Sequence, residues 1–317
     1  MKIRTLLALV GLSFCLTAPG CAGCQYPTPG GSGGAPSAGG SVSTGGNPAT
    51  GGLPAVAGAP AQTGGTSTGG AVATGGAPAV EFPTACDYGL RRAPVVRPSL
   101  SGWHKDPVRA KRRRARASYQ VVAPSVFRTP NSQVALDQGS IGSCTGNAVA
   151  QCLSTSPFGH KLLEADAVAI YSRATEIDPF KGTYPPTDTG SNGSSAWQAA
   201  IDLKLYVGTV TQLETLEELQ GALQKVPVAI GVDWWSGMFT PTASGELQMT
   251  GTVEGGHEIE IIGWDSVRKV VWIRNSWGPG WGLCRGPETG YAYFSAGTLQ
   301  KLLNSGGEMD APAWGGS

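Results

Sequence analysis

The sequence predicts an α+β fold of two packed subdomains, a helical half followed by a strand-rich half, with a cleft between them. Three observations predict it. Apolar residues recur at helical spacing through the first part of region 119–305, and the period shortens to two after Val226-Pro227. Region 119–305 spans about 185 residues, enough to bury a substantial core. Residue types suited to one chemistry are divided between its two ends.

The elements follow in order. Ile141-Gly142-Ser143 reads as a turn feeding a helix that opens at Cys144 and runs through Leu153. A second helix is predicted over 165–177. A third covers 195–203, where Ala196, Ala199, Ala200 and Leu203 recur at helical spacing. A short fourth covers 215–224, with Thr215 as its cap and acidic Glu217 and Glu218 in its first turn. Segments 228–232, 257–264, 270–274 and 291–294 read as strands.

The chain outside that region is not core material. Met1-Lys2-Ile3-Arg4 precedes an apolar run to about Ala18, the pattern of an export signal and short for a membrane-spanning helix. Ala18-Pro19-Gly20-Cys21 resembles a bacterial lipoprotein cleavage box, so 1–20 is expected to be removed and Cys21 lipidated. Cleavage without lipidation, giving a periplasmic or secreted protein, is the other reading. Ala22 after the cysteine favours an outer-membrane-anchored or cell-surface protein over inner-membrane retention. Segment 21–80 is Gly, Ala, Pro, Ser and Thr, with Thr-Gly-Gly recurring irregularly and no charge between Arg4 and Glu81. Such a chain cannot offset its ordering entropy and is expected to be a disordered tether. Segment 81–118 reads as a basic connector or short pro-like segment, containing Lys111-Arg112-Arg113-Arg114-Ala115-Arg116. That run is a solvated connector, a processing site, or a patch for acidic surfaces. Segment 306–317 is expected to be a flexible tail.

A net charge of +1 gives no global field for nucleic acid, and the only membrane partner implied is the lipid anchor. A monomer is expected. Seven cysteines are too few for a disulfide scaffold. No His/Cys cluster stands at ligand spacing, so neither metal nor organic cofactor is expected.

Cys144 opens a helix just after a Gly-containing turn, where unpaired N–H groups and the helix dipole favour a thiolate. Cys152 lacks such a turn and reads as core. His257 follows Gly255-Gly256 at the start of a strand, where small neighbours permit close approach. His104 falls in the connector, and His160 follows Pro157-Phe158-Gly159 in a loop. Asn275 ends the apolar run Val271-Trp272-Ile273-Arg274, and its amide oxygen can orient an imidazole. Trp277 can shield that bond from water. Gln138, six residues before Cys144, can supply an oxyanion donor beside the Cys144 N–H.

Asp137-Gln138-Gly139…Gly142-Ser143-Cys144, Gly256-His257, Asn275-Ser276-Trp277-Gly278 with Trp281-Gly282, and Thr189-Gly190-Ser191-Asn192-Gly193 together resemble the papain-like cysteine peptidases. The resemblance implies a papain-like fold with a helical half and a β-barrel-like half flanking the active-site cleft. It implies Cys144 as nucleophile, His257 as base and then acid, Asn275 as orienter and Gln138 as oxyanion donor. It also implies Gly193 as a substrate-backbone contact, Trp277 and Trp281 as cleft walls, and peptide bonds as substrate. Two other readings remain: a silent papain-fold surface binding module, and a thiol amidase acting on cell-wall peptides. Ile141 stands where the family often carries a disulfide cysteine, and Thr145 where many members carry an aromatic residue. Glu258 and Glu260 share the strand face opposite His257, a face that is either solvated or occupied by a charge partner. Trp234, Trp235, Met238 and Phe239 are candidates for cleft or core. A Cys86–Cys284 bridge is open to the chain in an oxidising compartment.

Overall fold

The first four helices start within two residues of where the sequence places them. In the computed structural model, residues 79–86, 99–109, 123–132 and 134–315 are described, all within one unit, 73–317. The leader, Cys21, the tether and the basic run 111–116 lie outside the described residues.

After a short strand β1 (Val126–Phe127) come α1 (Cys144–Ser154), α2 (Glu164–Ile177) and α3 (Gly193–Asp202). Every residue of α1 is buried, and its small side chains allow that: a Cβ on Gly146 would run into the Ala167 carbonyl of α2. Asn192 caps α3, its side chain accepting from Ser195 N. These helices close an apolar cluster that includes Cys152, Leu153, Ile170, Trp197 and Tyr206.

Next come β2 (Val210–Leu213) and α4 (Leu216–Leu223), followed by β3 (Val228–Trp235), β4 (Val253–Asp265) and β5 (Val270–Arg274). Thr215 caps α4 in a capping box with Glu218. The chain then forms β6 (Leu283–Arg285), β7 (Glu288–Ser295), α5 (Ala296–Asn304) and β8 (Glu308–Pro312). Neighbouring strands run antiparallel in the order β2-β8-β3-β4-β5-β7-β6, with β1 also on β4. The largest core cluster lies in this half and includes Ile230, Val232, Ile259, Ile261, Leu299 and Met309.

Two boundaries differ from the sequence reading. Segment 306–317 is not a free tail: β8 pairs with both β2 and β3, with Met309 fully buried. Its five residues alternate acidic and apolar, too short a run to stand out from a polar terminus. The domain also extends before 119. Thr84 pairs with Cys284 through both main-chain groups, Phe82 stacks on Trp272, and a Cys86–Cys284 disulfide joins this segment to β6. Helix α5 and strands β2 and β6 were also not foreseen.

Replacing Met309 with Ala should lower unfolding free energy by about 2–5 kcal/mol, because the buried thioether is lost and a cavity remains. Urea denaturation measures this; a change below about 0.5 kcal/mol would mean β8 is dispensable to the core.

Candidate active site

The two halves bring four separated segments together. Cys144 begins α1, at a helix N-terminus, and is fully buried. The backbone N–H groups of Glu258, in the middle of β4, and of Thr145 lie close to its sulfur. His257, next to Glu258, is fully buried and its Nε2 lies 2.8 Å from Asn275 Oδ1. That oxygen also accepts from Ser276 N at 2.8 Å, so it acts as an acceptor and Nε2 carries the proton. The other ring nitrogen, Nδ1, is buried without a hydrogen-bond partner among the described residues. It is therefore the free basic atom of the ring.

Aromatic rings exclude water from the imidazole. Trp234 stands edge-on to His257 at 4.8 Å, and Trp277 lies 4.9 Å away on a tilted plane. Trp277 also stacks on Phe239 and meets Trp281 edge-on, and Trp281 Nε1 donates to Phe239 O at 2.8 Å. Trp234 and Met238 are core; Trp235 and Phe239 are partly buried against it.

Gln138 is held on three sides. Its backbone N donates to Ser276 O at 3.0 Å, its Oε1 accepts from Ser276 Oγ at 2.8 Å, and its Nε2 donates to Ile141 O at 3.0 Å. One amide hydrogen is left over. Asp137 bridges Trp277, and Gly278 N donates to Leu136 O, so this segment is laced to the Asn275 turn.

Gly193 does not face a substrate strip. It is the first residue of α3, and a Cβ there would meet Asp310 Oδ2 at 2.7 Å and Glu258 Oε1 at 2.9 Å. Ser191, two residues earlier, makes the main-chain contacts across the cleft. Glu258 and Glu260 are buried, so their face is not solvated. Arg109 offsets Glu258 and Arg274 offsets Glu260, while burial pushes both carboxyls up, Glu260 to about 7.

The sequence reading also missed a hydrogen-bonded staple. Asp188 Oδ2 accepts from Gly142 N at 2.8 Å, in the turn before Cys144. Its Oδ1 accepts from Tyr171 OH at 2.5 Å, and that hydroxyl accepts from Gly190 N at 2.9 Å. Three segments around the cleft are thus joined beside Ile141, where a bridging cysteine is lacking. Nothing in Thr187-Asp188-Thr189 distinguishes it from an ordinary turn.

The cleft is occupied by the chain itself. Residues 99–109 run through it as an extended strap. Gly256 N donates to Leu100 O, Ser191 N donates to Gly102 O, and His104 N donates to Ser191 O, at 2.8–2.9 Å. His104 Nε2 lies 2.7 Å from Thr189 O, and its ring packs on Phe180. Gly102 lies on the thiol: a Cβ on it would stand 2.5 Å from Cys144 Sγ and 2.6 Å from Gly142 O. Gly190, at φ +72°, has no room for a side chain beneath the Ser101 carbonyl. Connector 81–118 is therefore in part a cleft-filling segment. His160, as expected, is exposed in a loop. Among the described residues no group of three or more His, Cys, Asp or Glu could hold a metal ion.

Electrostatics follow from this cover. Burial, then the Glu258 charge, raises the Cys144 thiol well above its ordinary value. Burial pushes His257 down to about 4, against the opposing bond to Asn275. With the strap in place the thiol and imidazole are both neutral near pH 7.

Cys144 at a helix N-terminus and His257 on a strand, between two such halves, belong to an α+β, papain-like fold. Residues 164–305 match the family model described as papain family cysteine protease, a stretch that includes His257 and Asn275 and begins after Gln138 and Cys144. The matched stretch, under half of the chain, is similar to the papain family of cysteine proteases, and a cysteine-type peptidase, a hydrolase, is the activity it supports. Among solved structures it is similar to xylellain, a cysteine protease from Xylella fastidiosa, at 17% identity and TM-score 0.49, covering 74% of this chain and 100% of that one. It is also similar to digestive procathepsin L 3 of Tenebrio molitor larval midgut, at 17% identity and TM-score 0.43, covering 68% and 77%. A third is the bromelain protease from Ananas comosus, at 16% identity and TM-score 0.40, covering 57% and 99%. No curated protein matches the sequence.

Asp188→Ala frees Gly142 N and Tyr171 OH together. In protein whose cleft-filling segment has been displaced, it should lower kcat/KM by about 10-fold, the scale of one lost charge-assisted hydrogen bond, with Asp188→Glu giving partial rescue. A steady-state assay with a parallel thermal melt decides: unchanged kcat/KM in a folded variant removes the staple from the site.

Proposed function

We propose that the chain hydrolyses peptide bonds through Cys144, His257 and Asn275, with Gln138 as oxyanion donor. The observation that carries this reading is the extended peptide in the cleft, the chain's own strap, with Gly102 against the Cys144 sulfur.

Once the strap leaves, water returns and the cost of charging both groups falls. His257 Nδ1 takes the Cys144 proton, and the thiolate attacks the scissile carbonyl carbon. The C=O electron pair moves to oxygen, which accepts from Gln138 Nε2–H and Cys144 N–H. The C–N bond breaks as imidazolium protonates the leaving amine, giving a thioester. His257 then deprotonates water, which attacks the thioester, and the proton returns to the departing thiolate. Asn275 keeps Nε2 protonated, so Nδ1 stays the working atom.

The same segment makes the full chain latent. A silent binding module has less support, because Gln138, Cys144, His257 and Asn275 are all present in the sequence and His257 Nε2 is bonded to Asn275. A thiol amidase acting on cell-wall peptides uses the same steps and differs in substrate. Export, with lipidation at Cys21 and outer-membrane or surface anchoring, is part of this reading. It is supported by the leader sequence and by the Cys86–Cys284 bridge, which suits an oxidising compartment.

Gly102→Val places a side chain where none fits and should expel the strap. Cys144 in this full-length variant should react with an epoxide thiol inhibitor about 10-fold or more faster at pH 6 than in the unaltered chain, as its lowered pKa raises the thiolate fraction. Mass spectrometry of the labelled peptide reads the site. Equal rates in both proteins would show that the strap does not cover the thiol.

Within the Gly102→Val chain, Cys144→Ala should abolish peptide cleavage, and Gln138→Ala should lower kcat by about 10²–10³. Full cleavage by the alanine variant at Cys144 would sink the peptidase assignment to this thiol.

A further inference from the structure

The register of three strands builds an acidic pocket beneath the strap. Gly231 of β3 pairs with Glu258 of β4 on one side and Glu308 of β8 on the other, and Ala229 pairs with Asp310. Paired residues, and residues two apart, point to one face, so Glu258, Glu308 and Asp310 surround the bare Gly231 position. Gly193 closes the far wall, with its Cα side against Glu258 and Asp310. A Cβ on Gly231 would overlap the Trp103 indole, and one on Gly256 would overlap the Trp103 main chain. Trp103 thus enters from the strap over a floor made by two glycines.

Arg109, from the same strap, brings the countercharge. Its Nη1 lies 3.3 Å from Asp310 Oδ1 and 3.9 Å from Glu308 Oε2, while Nη2 donates to Met309 O at 2.8 Å and Leu213 O at 3.3 Å. Asp106 N donates to both Glu308 oxygens at 3.2 Å. Glu258 Oε2 remains buried with no hydrogen-bond partner among the described residues, and Glu258 is 1% exposed. The pocket therefore holds a cation already and has an acceptor to spare.

We propose that this pocket, emptied of Trp103 and Arg109, is the specificity pocket of the peptidase and selects an arginine or lysine side chain beside the scissile bond. The proposal rests on the peptidase reading above. An apolar side chain would leave Glu258, Glu308 and Asp310 facing one another without a countercharge, which is costly in a buried site. A long basic side chain lays its methylene stem over the Gly231 and Gly256 floor and carries its charge to the carboxylates. One substrate residue then does what two strap residues do in the latent chain. Arginine fits best, because its planar fork can bridge two carboxylates.

The test uses the full-length Gly102→Val chain, its active sites counted by epoxide labelling. Fluorogenic peptides with one leaving group carry Arg, Lys, Leu, Trp or Glu in turn at each residue on the acyl side. At one position Arg or Lys should exceed Leu and Trp by about 10-fold or more in kcat/KM, with Glu poorest. Asp310→Asn and Glu308→Gln should each lower the Arg-to-Leu ratio by about 5-fold or more. Leucine or tryptophan equal to or better than arginine at every position, in labelled and active protein, overturns the pocket and leaves the peptidase standing. A ratio unmoved in both carboxylate variants does the same, making the carboxylates partners of Arg109 only. Absence of labelling on folded protein overturns the peptidase reading, and the pocket with it. Should Gly102→Val not melt cooperatively, Trp103→Ala in the full chain serves in the same panel with the same outcomes.

Discussion

Along β4 successive side chains turn to opposite faces of the sheet, and that alternation organises both the chemistry and the recognition surface. His257 points one way, into the aromatic enclosure of Trp234 and Trp277, where Asn275 can hold its Nε2. Glu258, the next residue, points the other way, toward Gly193, Gly231 and Asp310. A one-residue slip of β4 against β3 would exchange the two, placing a carboxylate among the tryptophans and the imidazole among acids. Apolar Ile230, Ile259 and Met309 on the His257 face oppose such a slip, because each is fully buried in the present register.

The thiol depends on a second set of restraints. Cys144 begins a helix whose every residue is buried, so the helix cannot shift without disturbing the core of the helical half. The turn before it has no covalent tie and is held instead by Asp188, through Gly142 N and Tyr171 OH. The Gln138 segment is fastened to the Asn275 turn by main-chain bonds. Gln138, His257 and Cys144 thus come from three stretches of chain, each held by neighbours of its own.

In the proposed function, latency uses the same surfaces as substrate recognition. The strap takes main-chain bonds from Ser191 and Gly256, puts Gly102 on the sulfur, and fills the acidic pocket with Trp103 and Arg109. Covering the thiol also removes the water that would support its charge, which is why the thiol is raised and the imidazole pushed to about 4. Steric cover and suppressed ionisation are one effect seen in two ways.

Much of this was legible in the sequence because it is local. Helical spacing, the Thr215 cap with Glu218, and the period-two runs at 257–264 and 270–274 are written in neighbouring residues. Cys144 after a Gly turn, His257 after Gly255-Gly256 and Asn275 at a strand end carry their own backbone signals, and the alternation of His257 with Glu258 follows from any strand. What occupies the face opposite His257 could not be read that way. It depends on β8 inserting between β2 and β3, which brings Glu308 and Asp310 beside Glu258 across a wide gap in sequence. The displacement of the strip contact from Gly193 to Ser191, the Asp188 staple and the strap over Cys144 likewise arise from packing between distant segments. From sequence alone come the first four helices, the longer strands and the candidate site groups, because periodicity, capping and turns act between near neighbours. Which carboxylates are buried together, which cation offsets them and what covers the thiol come from tertiary packing, because burial and Coulomb energy depend on distance in space.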